Sequence, residues 1–119
     1  MADILIVDDQ VIIRFLLYEV LSRMGHTVDQ ASNGAEALVL AENHRYDLII
    51  LDYRMPDMDG LVVAEQLSGE IPTVLHTSNY DDSDLKIKAL KSGAIGVIPK
   101  ISDITAFKKS VELILKGKL

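Results

Sequence analysis

The chain has 119 residues, 49% of them hydrophobic, with a net charge of −6 and no cysteine. That length fits one domain, 1–119, with apolar mass enough for a core, while the lack of cysteine rules out disulfides and thiolate zinc sites. The acidic balance argues against direct binding of nucleic acid, and no apolar run approaches the roughly 18 residues of a membrane span.

Along the chain, apolar runs alternate with helix-period segments. Residues 4–7 (ILIV) read as a buried strand, and residues 10–24 as a helix stopped by Gly25. Residues 26–30 form a weaker strand and 33–43 a helix rich in Ala and Leu. Residues 47–51 (DLIIL) read as a central parallel strand, apolar on both faces. Residues 53–60 hold Pro56 and Gly60 and must be a loop. A short helix at 61–68, a strand at 72–76, a helix at 82–92, a strand at 94–98 and a helix at 104–116 complete the chain. Strict alternation predicts an α/β doubly wound, five-stranded parallel sheet with helices on both faces. The opening MADILIVDD has no basic region and too short an apolar run for a secretory signal, so cytoplasmic residence is the simplest expectation.

Acidic residues stand where strands end: Asp8 and Asp9 after ILIV, and Asp52 after DLIIL. The C-terminal rim of an open parallel sheet is where ligands bind. Three carboxylates in one pocket repel each other and raise each other's pKa unless a cation neutralises them. A hard divalent ion with oxygen ligands suits such a pocket, with Mg2+ the usual one. Thr77 follows the fourth strand and Lys100 the fifth, so both join the same rim. The set fits phosphoryl transfer to a carboxylate, with one Asp as nucleophile. The hydroxyl and the ammonium bind the equatorial oxygens.

The stretches ILIVDDQ, DLIILDYRMPDMDG, PTVLHTS and SGAIGVIPK resemble the receiver domain of two-component response regulators. The resemblance runs over essentially the whole chain, and DxxMPxMDG is its most specific part. It implies a flavodoxin-like receiver fold with strand order 2-1-3-4-5. It also implies Asp52 as phosphoacceptor, Asp9 as a direct Mg2+ ligand and Asp8 as an acid holding the ion partly through water. The backbone carbonyl of Arg54 matches the third protein ligand, Thr77 the switch hydroxyl and Lys100 the family's lysine. The donor would be a phosphohistidine on a sensor histidine kinase or a histidine phosphotransfer protein. Such a domain is a signalling module that catalyses its own phosphorylation and slow dephosphorylation, not a turnover enzyme.

The chain departs from that pattern in several places. Many receivers have proline directly after the lysine, often in a cis peptide; here Ile101 follows Lys100 and Pro99 precedes it, so slow isomerisation is not expected there. The aromatic switch position of the fifth strand holds Val97, which removes a threonine–aromatic coupling unless Tyr80 substitutes. The stretch 60–72 is shorter than usual and predicts a clipped third helix or a tight return loop. Arg54 and Asn79, two residues beyond Asp52 and Thr77, are expected to overhang the phosphoryl group and tune its lifetime.

In the first helix, Ile13, Leu16, Leu17, Val20 and Met24 share one face, while Val11, Phe15 and Tyr18 cluster opposite. An apolar stripe beside the acidic rim predicts a docking surface for the donor protein near Gln10, Val11, Phe15 and Tyr18. VDDQ with IRFLLYEV resembles the single-domain receivers of the sporulation phosphorelay. His76 is expected on the opposite side of its strand from Thr77, as a satisfied core histidine. His26 and His44 read as surface or helix-end residues, so no zinc site is expected. Asp81, Asp82 and Asp84 cap the fourth helix, and Lys108, Lys109, Lys116 and Lys118 read as a solvated face.

Three other readings belong to different classes. KISDITAFKKSVELILKGK resembles receivers that precede helix-turn-helix domains, so the chain could be the receiver part of a DNA-binding regulator. A phosphatase of the haloacid dehalogenase type wants DxD where this chain has DDQ. A degenerate receiver that only binds is opposed by the presence of all five site residues. Phosphorylation-dependent dimerisation through the fourth helix, fifth strand and fifth helix is left open.

Overall fold

The computed structural model describes residues 1–67, 71–78 and 81–117. Among them, five strands alternate with five helices: β1 (Asp3–Val7), α1 (Val11–Arg23), β2 (Thr27–Ala31), α2 (Gly34–Asn43), β3 (Leu48–Asp52), α3 (Gly60–Leu67), β4 (Thr73–Thr77), α4 (Ser83–Lys91), β5 (Gly96–Pro99) and α5 (Ile104–Leu115). The strands form one parallel sheet in the order β2-β1-β3-β4-β5, as expected. No described helix is long and apolar enough to cross a membrane.

Side chains alternate across a strand, and here the alternation sorts the core into two layers. Leu5, Val7, Ile49, Leu51 and Leu75 pack with Ala37, Val63, Ala64, Leu85 and Ala89, on the side covered by α2, α3 and α4. Ile4, Ile6, Leu48, Ile50, Val74 and Ile98 pack with Leu17, Val20, Leu21, Phe107, Val111 and Ile114, on the side covered by α1 and α5. Strands buried on both faces need apolar residues at every position, which is why β1 and β3 are near-continuous apolar runs. Ile13, Leu16 and Met24 pack against the second layer as expected, and Leu21 belongs to its fully buried part.

Several boundaries move by a residue. Asp52 and Thr77 are the last residues of β3 and β4 rather than the ones after them, because their backbones still pair with the neighbouring strand, Asp52 with His76 and Thr77 with Pro99. A polar side chain at the rim does not end the ladder, since pairing is a backbone property. Residues 33 and 82 are N-caps rather than helical: Asn33 accepts from the amide of Glu36, and Asp82 from those of Asp84 and Leu85. Gly25 adopts φ 94° just beyond α1, a left-handed stop. Helix α3 starts at Gly60, one residue earlier than expected, and spans eight residues. Its return loop at 68–70 lies outside the described residues, as do Asn79, Tyr80 and Lys118. Among the described residues no peptide bond is cis.

Candidate functional site

The C-terminal ends of β1 and β3 are adjacent, so the carboxylates that follow or close them meet. The amide of Asp8 donates to the carbonyl of Ala31 at 3.1 Å, prolonging the β1–β2 pairing by one residue. Asp8 Oδ1 accepts from the amide of Gln10 at 2.8 Å and so shapes the turn into α1. The Arg14 guanidinium donates to the Asp8 carbonyl at 2.8 Å, tying that turn to the first helical turn. Asp8 and Asp52 are buried, 1% and 5% exposed, and Asp9 is more open. One carboxylate oxygen from each of Asp8, Asp9 and Asp52 lies within 4.8 Å of the others.

Lys100 reaches into this cluster from the end of β5. Its Nζ donates to Asp52 Oδ1 at 3.0 Å and to Asp8 Oδ2 at 3.5 Å. When all four groups are ionised, one ammonium faces three carboxylates. Burial first, and this imbalance second, raise the pKa of the acids. Burial pushes Asp52 up to about 6, against the hydrogen bond from Lys100 and with help from the charges of Asp8 and Asp9. Asp8 is raised as well, by burial first, against the Gln10 amide and Lys100. Clustered, desolvated oxygen donors of this kind fit a hard divalent cation and no soft one.

Thr77 is buried at the end of β4, and its carbonyl accepts the Lys100 amide at 3.0 Å. Gly60 closes the loop that follows Asp52. Its amide donates to the carbonyl of Tyr53 at 2.6 Å, and a Cβ there would stand 2.6 Å from the backbone oxygen of Asp52. The glycine is needed for that close approach. Arg54, in the same loop, is exposed, with its guanidinium 5.4 Å from the ring centroid of Tyr53.

The structure therefore brings Asp8, Asp9, Asp52, Thr77 and Lys100 to one rim. Beside them, α1 exposes Val11, Phe15 and Tyr18, together with Ile12, which sequence reasoning omitted although it sits three residues before Phe15. Also missed was Asp57, whose two carboxylate oxygens accept from the amides of Gly34 and Ala35 at 3.1 and 3.0 Å. Its slight burial works against ionisation, but the amides of Gly34, Ala35, Asp57 and Met58 outweigh that and hold its pKa below the usual value. No local pattern announces a bond spanning more than twenty residues.

His76 needs a correction. It lies on the α5 side of the sheet, as expected, with its ring edge-on to Phe107 at 5.9 Å. However, only one of its nitrogens is satisfied. Nε2 accepts the amide of Ile101 at 2.9 Å, and buried Nδ1 has no partner among the described residues. Burial, aided by Lys100, pushes its pKa down to about 3, so the ring is neutral.

The sheet of order 2-1-3-4-5 thus gathers an aspartate cluster, a threonine and a lysine at its C-terminal rim. The chain belongs to the response regulator receiver domain family, whose model matches residues 4–112. Sporulation initiation phosphotransferase F of Bacillus subtilis (strain 168) is 35% identical over 117 residues, covering 97% of this chain and 94% of that protein. A probable transcriptional regulatory protein NarL of Mycobacterium tuberculosis (strain H37Rv) is 40% identical over 115 residues, but the match covers only 53% of it. For a protein-glutamate methylesterase/protein-glutamine glutaminase of Hahella chejuensis the identity is 38% and the share covered 35%. The chain thus spans about a third to a half of the length of some curated relatives and nearly all of another. Among solved structures, chemotaxis protein CheY4 of Vibrio cholerae superposes with a TM-score of 0.89 at 29% identity, covering 94% of this chain and 97% of that one.

Proposed function

We propose that the chain accepts a phosphoryl group on Asp52 from a phosphohistidine donor and passes the signal on by conformational change or onward transfer. The observation that carries this reading is the Asp52 carboxylate, buried at the end of β3, hydrogen-bonded to Lys100 and flanked by Asp8 and Asp9. A carboxylate oxygen of Asp52 attacks phosphorus, the phosphorus–nitrogen bond to the donor imidazole breaks, and an acyl phosphate forms. Lys100 and the Thr77 hydroxyl then hold the phosphoryl oxygens. Asp8, Asp9, Asp52 and the Arg54 carbonyl would hold Mg2+, which when bound offsets charge on the phosphoryl oxygens. Drawing Thr77 and Lys100 toward the new group biases a pre-existing equilibrium at α4 and β5. Water later releases the phosphoryl group, so the domain acts as a cytoplasmic switch rather than a turnover enzyme.

The donor is a sensor histidine kinase or a histidine phosphotransfer protein, docking on Gln10, Val11, Ile12, Phe15 and Tyr18. Those side chains adjoin the acidic rim through the Asp8–Gln10 turn, and all but the two polar-tipped ones, Gln10 and Tyr18, are exposed aliphatic or aromatic groups. The sporulation phosphotransferase, matched over nearly its whole length, supports the reading of onward transfer. The partial coverage of NarL supports the second reading, the receiver part of a DNA-binding regulator.

Intact mass after incubation with acetyl phosphate and Mg2+ tests the site. Wild type gains one phosphoryl group and Asp52→Ala none; equal gain in both variants refutes Asp52 as the acceptor. Replacing Phe15 and Tyr18 with Ala slows transfer from a phosphorylated histidine donor protein and leaves the acetyl phosphate rate unchanged. Equal slowing with both donors refutes the docking surface.

A further inference from the structure

Strand β5 ends at Pro99, and the two amides that follow it are both tied back to β4. Lys100 donates to the carbonyl of Thr77 at 3.0 Å, and Ile101 donates to the imidazole Nε2 of His76 at 2.9 Å. The first bond extends the ladder. The second replaces a ladder bond with a side chain, where a half-buried amide needs an acceptor and no strand carbonyl provides one. Proline at position 101 would have no amide to satisfy; isoleucine does.

We propose that His76 is a positioning residue for the phosphoryl-transfer site: by holding the Ile101 amide it fixes the backbone on the far side of Lys100 and so aims the Lys100 ammonium at Asp52. This rests on the reading of Asp52 as phosphoacceptor given above. The bonds run in an unbroken series, His76 to Ile101, Lys100 to Thr77, and Lys100 Nζ to Asp52 Oδ1 at 3.0 Å. Phe107 of α5 packs edge-on against the same ring.

The state of the ring agrees with this role. A neutral imidazole has one acceptor nitrogen and one donor nitrogen, and a charged one has no acceptor. Because Nε2 accepts from Ile101, the proton sits on Nδ1, which is buried and has no partner among the described residues. A buried donor left unmatched is uncommon and unfavourable. A ring needed only to fill space would be better replaced by leucine. Burial and the nearby Lys100 keep the ring neutral throughout the working pH range.

The test compares four proteins: wild type, His76→Gln, His76→Asn and His76→Leu. Gln carries its amide close to where Nε2 stands, Asn carries the same group one methylene short, and Leu carries no acceptor. The expected order of acetyl phosphate phosphorylation rates is wild type and Gln first, with Asn and Leu roughly tenfold slower, as for a misplaced catalytic group. The half-saturating donor concentration stays unchanged. In a Lys100→Ala background, the His76 substitutions have no further effect, because the pathway they act through is gone. A Leu variant as fast as wild type, a Gln variant as slow as Leu, or equal slowing in the Lys100→Ala background each overturns the proposal. The NMR signal of the Lys100 ammonium, sharpened by its contact with Asp52, needs no phosphodonor. Its loss in the Asn and Leu variants supports positioning, and its persistence in them refutes it. A wild type that takes no phosphoryl group sinks the Asp52 reading instead, and the ammonium signal then decides the role of His76 alone.

Discussion

Asp52→Asn should make the cation-free protein more stable, because the Asp52 carboxylate is held in an unfavourable place. Asp52 is 5% exposed, and its pKa rises from 3.8 to about 6, chiefly through burial. A gap of about two units, at 1.36 kcal/mol each, corresponds to about 3 kcal/mol of stability forgone at pH 7.5. Asparagine keeps an acceptor for Lys100 and has no charge to desolvate, so most of that should be recovered. For a domain of this length it amounts to a melting-temperature rise of roughly 10 °C. The pH dependence has a definite sign. A group whose pKa is higher in the folded state contributes stability that is fully present below its unfolded value and lost as pH rises through the folded value. Wild type therefore gains on the variant as pH falls from about 6 toward 4, and the difference vanishes below 3.8. Mg2+ acts in the same direction as acid. At a hundredfold excess over its dissociation constant it adds about 2.7 kcal/mol to any state that binds it, which nearly closes the gap. Urea unfolding of both proteins at several pH values, in EDTA and in Mg2+, measures all of this. An Asp52→Asn protein no more stable than wild type at pH 7.5, or an advantage that persists unchanged at pH 4, refutes the argument.

Two further substitutions probe the loop after β3. Gly60→Ala should destabilise by roughly 1–3 kcal/mol, because its new Cβ would meet backbone atoms of Asp52 and Tyr53 that cannot rotate away. Urea denaturation reads the loss, and a change under a few tenths of a kcal/mol would show that the loop yields freely. Arg54→Ala should shorten the lifetime of the acyl phosphate by removing a bulky cation from the residue two beyond Asp52; the decay of phosphorylated mass with time measures it, and an unchanged lifetime rules out shielding.

The sequence discloses the sheet and the rim for the same physical reason. A strand buried on both faces must be apolar throughout, so its end is marked by the first charge, and in a parallel sheet all those charges fall on one edge. Asp8, Asp9, Asp52 and Lys100 are therefore legible one by one without any knowledge of their contacts. What stays hidden is the set of side-chain bonds to distant backbone, Asp57 to Gly34 and Ala35, and His76 to Ile101. Neither residue breaks a local rule of periodicity, turn or cap, so nothing nearby marks them. Ile101 could be seen as a departure and His76 as a core histidine, but each alone looks inconsequential. Together they form one arrangement: an amide that proline would not have brought, and a buried imidazole turned to receive it at the expense of its own Nδ1 proton. On the proposed role, the position of Lys100 outweighs the satisfaction of Nδ1, which has no partner among the described residues. The bond that the imbalance serves, from the Ile101 amide to His76, stands next to the lysine whose ammonium reaches Asp52.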